Sequence, residues 1–393
     1  MSRQIKLYAN IDSCLISRSR GIIDTHCGKL LGIFGSREGS YRYSYRSFLD
    51  SPLLAVSLGG FLIRKAVALI SGGLDSVLAA RLVMEQGYKV TGLYFTSAFS
   101  KSYGKEKLTP AAVVSKTIGI DLRIMDLGQD YIDLIRDPKH GYGKNVNPCI
   151  DCKIHMLSRS RAVMDEVGAP FLITGEVLGQ RPMSQRRDTL HVIERDSGLK
   201  GLILRPLSAT LLPPTRAEQD GLINREKLLG ISGRSRMVQL QLAERYGIQG
   251  FSTPAGGCLL TDKNFAEKLR DSFREQKTIT PRDVQLLTVG RHFKFDNGVR
   301  IVLGRDNREN HVLMSLVPHG YHLFMPHGFP GPVAILSGTP DPEVKQAIGR
   351  LIITYSKQIP GQVRRISFGS EIFDPGEPLP IQSMGLKKIG AEH

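Results

Sequence analysis

The chain has 393 residues, a length that calls for about two or three domains, with hydrophobic content of 41% and charged content of 23%. A formal net charge of +16 points to a polyanionic partner, nucleic acid first and an anionic membrane surface second. No apolar run approaches the ~20 residues that span a bilayer, and five cysteines cannot staple a chain of this size, so membrane-inserted and disulfide-scaffold classes are excluded. An odd number of thiols with a Cys-x-x-Cys pair suits a reducing, cytoplasmic setting and chemistry at sulfur.

Residues 1–64 show no sustained helical or strand period. Arginine, serine and tyrosine recur, as in Tyr41-Arg42-Tyr43-Ser44-Tyr45-Arg46, and the segment reads as a basic, poorly ordered extension with no assigned function. Residues 66–70 then form a short apolar run of the kind buried on both faces of a parallel sheet. Ser71-Gly72-Gly73-Leu74-Asp75-Ser76 follows as a tight loop, and residues 76–84 carry apolar side chains at helical spacing. Unpaired N–H groups and the positive dipole end at such a helix start attract phosphate. The kinase-type phosphate loop GxxxxGK[ST] is absent here, since no lysine follows Gly73 at that spacing. The SGGxDS pattern instead resembles the PP-loop of the ATP pyrophosphatases. That resemblance implies that Ser71, Gly72, Gly73, Asp75 and Ser76 cradle the pyrophosphate of ATP while a substrate is adenylated, with Asp75 organising Mg2+.

Strands are expected at 89–95, 122–127, 171–174 and 202–204, with helices at 110–118 and 150–167. Alternation of this kind implies an α/β fold with a doubly wound parallel sheet, whose ligands sit past the carboxyl ends of the strands. The loop at Ser71, the strand end at Tyr94 and Phe95, and the turn Thr174-Gly175-Glu176-Val177-Leu178-Gly179-Gln180 should therefore meet. That turn, with Leu204-Arg205-Pro206 beyond it, resembles the TGExLGQ and LRP stretches of the ThiI/MnmA-type tRNA sulfurtransferases, and places Gly175 and Gln180 beside ATP.

Cys149 and Cys152 stand at the start of the 150–167 helix, where a thiol's pKa is expected to fall, with Lys153 assisting. Cys258 lies in a glycine-rich loop. Three thiols admit three explanations: ligands of a [4Fe–4S] cluster, a persulfide carrier with a resolving partner, or a zinc site completed by His155. A helical stretch is expected over 216–246, broken near Gly230 and Gly233, with two helices at 234–246 and 262–276.

From Asp283 the texture becomes that of a small α+β module. Residues 291–295 and 299–303 flank Asp296-Asn297-Gly298, a hairpin signal. Further strands are expected at 312–316, 333–336 and 363–368, a helix at 342–355, and a loose tail from about 373. The run from Val302 to Leu313, with Tyr321-His322-Leu323-Phe324 and Pro330-Gly331-Pro332, resembles the NFACT RNA-binding domain, although Glu309 stands where that family has glutamine. RNA contacts are thereby implied at Arg300, Arg305, Asn307, Arg308, Asn310 and His322.

The domain reading is 65–282 for the ATP pyrophosphatase unit, 283–372 for the RNA-binding module and 373–393 for the tail. Together the resemblances imply ATP-dependent tRNA thiolation. A uridine carbonyl oxygen is adenylated, and sulfur then replaces it. The partners would be tRNA and a sulfur donor (sulfide, a cysteine desulfurase or a carrier protein), with a homodimer left open. The competing readings are a non-catalytic structured-RNA binder and a PP-loop amidating ligase acting on a small molecule. The latter explains neither the thiols nor the charge.

Overall fold

The structure, a computed structural model, describes residues 64–100, 103–104, 109–252, 258–317, 320–357, 359 and 361–390. The basic extension expected over 1–64 lies, Arg64 apart, outside the described residues.

The first sheet is parallel. Strands β1 (Arg64–Leu69), β2 (Tyr88–Thr96), β3 (Asp121–Asp126), β4 (Leu172–Ile173) and β5 (Ile203–Leu204) lie in the order β3-β2-β1-β4-β5. In the central β1, Ala66 and Ala68 face a core shared with helices α1 (Leu74–Met84) and α2 (Pro110–Ile118). Val67 faces the opposite core, with Leu157 and Val163. A strand buried on both faces needs the unbroken apolar run that the sequence shows. Thr109 caps α2 by accepting from Ala112 N at 3.3 Å, Pro110 opens it, and Gly119 closes it in the left-handed region.

Helix α3 (Gly128–Arg136) escaped the sequence reading although Tyr131, Ile132 and Ile135 give it a buried face. Helices α4 (Cys149–Val167) and α5 (Arg187–Asp196) pack on the Val67 side of the sheet. The helix expected over 234–246 is present, but the stretch expected over 216–246 is not continuously helical ahead of it. The stretch contains the four-residue α6 (Arg216–Gln219), a 3-10 turn at Arg225–Lys227, and α7 (Met237–Arg245). Backbone pairing explains the difference: Leu229 N donates to Pro206 O at 2.8 Å and Ile231 N to Leu207 O at 2.8 Å, which draws these residues out of helix.

Helices α8 (Lys263–Glu275) and α9 (Pro281–Leu287) join the two halves. Leu269, Val284 and Leu287 share a core with Phe99, Tyr131 and Ile135 of the first half, whereas Leu286 packs with Val302 and Ile335 of the second. The expected boundary at Asp283 therefore falls inside a helix with a foot in each half.

The second sheet is antiparallel, in the order β11-β10-β8-β9-β7-β6-β12. Its strands are β6 (Arg291–Phe295), β7 (Arg300–Leu303), β8 (Tyr321–His327), β9 (Ala334–Ser337), β10 (Arg365–Phe368), β11 (Glu371–Phe373) and β12 (Leu386–Ile389). Helix α11 (Pro342–Thr354) buries Ile348, Leu351 and Ile352 in this module's core. Two expectations are corrected. Residues 312–316 belong to helix α10 (Asn307–Leu316), because Asp306 caps its start by accepting from Glu309 N at 2.8 Å. The loose tail instead supplies β12, which pairs with β6 from Leu386 opposite Phe295 to Ile389 opposite His292 and buries Leu386.

Candidate active site

The loop after β1 turns at Gly72, where φ is +79°, and a Cβ there would lie 2.5 Å from Ala111 N at the start of α2. Only glycine allows that approach. Ser76 Oγ donates to Gly73 O at 2.8 Å, Ser71 N donates to Ser76 Oγ at 3.2 Å, and Gly73 N donates to Ser71 Oγ at 3.3 Å. The hydroxyls are thus spent in shaping the loop. Gly73, the residue before α1, offers no side-chain cap. The helix start keeps backbone donors for an incoming anion, with its dipole aligned to attract one.

Two chain segments wall this loop. A Cβ on Gly175 would lie 2.4 Å from Ser76 N, so the turn after β4 rests directly on the first turn of α1. From that turn Gln180 Nε2 donates to Asp75 Oδ2 at 3.2 Å, and Arg236 Nη2 stands 4.0 Å from the same oxygen. Asp75 Oδ1 is buried without a partner among the described residues. On the other side Ser252 N donates to Gly72 O at 2.9 Å, forming a parallel bridge between Gly73 and Ser252. Arg236 escaped the sequence reading, because nothing local marks a residue that returns to a loop more than 150 positions earlier. Tyr94 and Phe95, near the end of β2 beside β1, are half-buried, and pack on the two opposite cores of the sheet.

Cys149 opens α4 and Cys152 follows one turn later. Tyr131 Oη donates to Cys152 Sγ at 2.9 Å. Burial pushes the Cys152 thiol up to about 11 despite that hydrogen bond and the charge of Lys153. The depressed pKa expected from the helix start is therefore corrected for Cys152: loss of hydration outweighs the dipole. Cys258 is exposed at its surface, yet crowding by surrounding atoms and by Cys149 raises it as well, against a backbone hydrogen bond from Leu260 and the charge of Arg181. Burial and then all three cysteines raise the Tyr131 hydroxyl, so the thiols share one electrostatic neighbourhood. Among the described residues, however, no three His, Cys, Asp or Glu side chains are gathered closely enough to hold a metal ion. His155 stacks on the Tyr131 ring with centroids 6.0 Å apart, and burial lowers its pKa.

A buried ion network ties the thiol helix to the turn after β4. Glu176, 3% exposed, receives Lys153 Nζ at 2.6 Å and Arg205 Nε at 2.9 Å, and Arg205 also pairs with Glu194. Burial alone would raise the Glu176 carboxyl, but the two cations prevail and hold it down at about 2. Lys153 thus turns toward Glu176 beside the glycine loop, while on the same helix Cys152 is its immediate neighbour and Cys149 stands one turn earlier.

The RNA-side residues divide. Arg305, Asn307 and Arg308 are exposed around the start of α10, and His322 packs against Phe368 with centroids 5.6 Å apart. Two expectations are corrected. Arg300 is 11% exposed and spends its guanidinium on Asp271 and on Ser272 Oγ, the latter at 2.7 Å, because α8 places a carboxylate against β7. Asn310 is buried, donating to Gly331 O at 3.2 Å and accepting from Val333 N at 3.0 Å, which staples the segment entering β9. Neither is presented to RNA.

Comparison with known proteins follows the same division. Residues 61–210 match the family described as thiamine biosynthesis protein (ThiI), and residues 290–383 match the NFACT protein RNA binding domain. Curated relatives include the tRNA-specific 2-thiouridylase MnmA of Marinobacter nauticus, 32% identical over 127 residues, which are 29% of this chain and 32% of that protein. The MnmA of Syntrophotalea carbinolica is 30% identical over 114 residues, 27% of this chain and 32% of that protein. The chain thus spans about a third of the length of the curated relatives it matches. A solved 4-thiouridine synthetase–RNA complex with bound ATP aligns at 22% identity and a TM-score of 0.31, covering 46% of this chain and 50% of that one.

Proposed function

We propose that this chain is an ATP-dependent tRNA sulfurtransferase that adenylates a uridine carbonyl oxygen and replaces it with sulfur. One observation carries the reading: the glycine loop, Asp75, the Gly175 turn and the thiol helix are tied together around the carboxyl edge of one parallel sheet, with Glu176 and Lys153 joining the last two. The ThiI family match over residues 61–210 and the MnmA relatives support it.

In this reading the pyrophosphate of ATP binds at the start of α1. The uridine oxygen attacks the α-phosphorus, pyrophosphate leaves, and the poor leaving group becomes AMP. Mg2+ fits the site, since the orphaned Asp75 Oδ1 is the atom that would hold it, and it would supply charge neutralisation on the departing pyrophosphate.

Sulfur passes through the cysteines. A persulfide on one thiol attacks the activated carbon and expels AMP. A second thiolate then attacks the resulting sulfur–sulfur bond, releasing the thiolated base and leaving a disulfide for a thiol reductant to reopen. As placed, the three sulfurs do not assemble a metal site, so no step is routed through a [4Fe–4S] cluster. Iron analysis of anaerobically purified protein separates the two: about four irons per chain would establish the cluster, and active iron-free protein would exclude it. The free thiols suit a cytoplasmic, reducing setting, and the exposed Arg305, Asn307 and Arg308 of the second module would dock tRNA.

The test is pyrophosphate and AMP release by purified protein. Release should require tRNA, and thiolated tRNA should appear only with a sulfur source. Asp75→Ala should abolish release while melting stays within about 2 °C of wild type, because Asp75 stands in the first turn of α1 at the ligand-facing edge and its buried Oδ1 has no partner among the described residues to lose. Release without tRNA would point to a small-molecule ligase, and tRNA binding with no release to a non-catalytic binder.

A further inference from the structure

Between α8 and the β6–β12 edge lies a cavity of about 300 Å³ whose lining includes none of the glycine-loop, Asp75, Gly175-turn or thiol-helix residues. Its walls carry Lys268 from α8, Arg291 and His292 from β6, Arg305 from the turn before α10, and Lys388 from β12, and among the described residues no Asp or Glu lines it. Lys268 is 5% exposed, and among the described residues its Nζ makes one long hydrogen bond, to Leu287 O at 3.3 Å.

The nearby carboxylates are committed elsewhere. Asp271 holds Lys294 and Arg300, and Glu309 accepts from the backbone N–H groups of Gly290 and Arg305 and pairs with the Arg305 side chain at 3.4 Å. Lys268, Arg291 and Lys388 have no ion-pair partner among the described residues. Arg291 lies over the Tyr355 ring, 4.7 Å from its centroid. His292 adds no charge: burial and the neighbouring Lys268 push its pKa well below the usual value, and Nε2 is bonded to Val289 O at 2.9 Å.

A cation buried with one weak hydrogen bond costs stability unless a counter-charge is supplied, and burial pulls Lys268 down to about 8. An anion in this cavity would meet one desolvated cation and three others at its rim. The volume admits a phosphate with its attached sugar. Asn264, Lys268 and Lys388 fall outside both matched segments, so the cavity is a composite of α8, β6 and β12 that neither domain makes alone.

We propose that this cavity is a phosphate-binding pocket that seats a backbone phosphate of the bound tRNA. The identity of the phosphate rests on the RNA-binding reading above, whereas the pocket itself does not.

The test uses the full chain as wild type, Lys268→Met, Lys388→Gln and, as a control of equal charge loss outside the cavity, Lys387→Gln. Melting is compared at pH 7 in chloride and in inorganic phosphate at matched ionic strength. Phosphate should raise the wild-type and Lys387→Gln midpoints, and Lys268→Met should lose that rise while melting in chloride no lower than wild type. In tRNA titrations across salt, Lys268→Met and Lys388→Gln should each lower the slope of log affinity against log salt by about 1, and Lys387→Gln should not. Absence of a phosphate effect on wild type overturns the pocket, as does tRNA binding whose salt slope neither cavity variant alters, and the latter leaves RNA binding standing elsewhere. Phosphate protection in a protein that binds no tRNA refutes RNA as the occupant and with it the RNA-binding reading.

Discussion

Glu176→Gln is the substitution with the most consequence for its size. The side chain keeps its shape but loses the charge that faces Lys153 Nζ at 2.6 Å and Arg205 Nε at 2.9 Å in a site only 3% exposed. Removing one member of a buried ion pair typically costs about 3–5 kcal/mol. Arg205 keeps Glu194, so the lower end, about 3 kcal/mol, applies here. At roughly 2–4 °C per kcal/mol, the melting midpoint should fall by roughly 6–12 °C at pH 7. The pH dependence has a definite sign. Because the folded carboxyl is held at about 2, below its ordinary value of 4.5, its contribution is complete above that ordinary value. It is lost as pH falls toward the folded value. The gap between wild type and variant should be constant from pH 5 to 7 and close between about pH 4.5 and 2. Thiolation should drop more than ATP binding, because release of Lys153 loosens the helix that carries Cys149 and Cys152. A variant melting within about 1 °C of wild type at pH 7 would refute the reasoning, since no buried pair could be that cheap to break.

Tyr131→Phe removes the hydrogen bond to Cys152 Sγ, which opposes the effect of burial, so the pH profile of Cys152 alkylation should move upward, read by mass spectrometry of the labelled peptide. Of the single Cys149→Ala, Cys152→Ala and Cys258→Ala variants, the two that remove the persulfide carrier and its resolving thiol should abolish thiolated product while pyrophosphate release persists; loss of both activities together would argue for a structural role. Arg300→Gln should lower the melting midpoint by several degrees, because it strands Asp271 between α8 and β7, yet leave tRNA affinity within about twofold. Arg308→Gln should do the reverse, weakening tRNA binding and lowering its salt slope by about 1 with the midpoint unchanged.

The sequence by itself determined the elements whose causes are local. An apolar run meeting two glycines specifies strand, loop and helix, and Asp296-Asn297-Gly298 between alternating runs specifies the hairpin of β6 and β7. Helix α10 was written there too, in Asp306 and Glu309 three residues later, but the apolar cluster at 312–316 masked it. What only the tertiary structure decided is how each charged or polar group is spent. Arg300 and Arg305 look alike in sequence, yet one meets a carboxylate 29 residues earlier and disappears into an ion pair, while the other remains at the surface. Cys152 stands in the first turns of a helix, where a local rule lowers a thiol's pKa, but a tyrosine 21 residues earlier packs over it and burial reverses the sign. Local conformation follows from steric and capping preferences that act within a few residues. Burial and charge depend on partners that only the folded chain brings within a few ångströms.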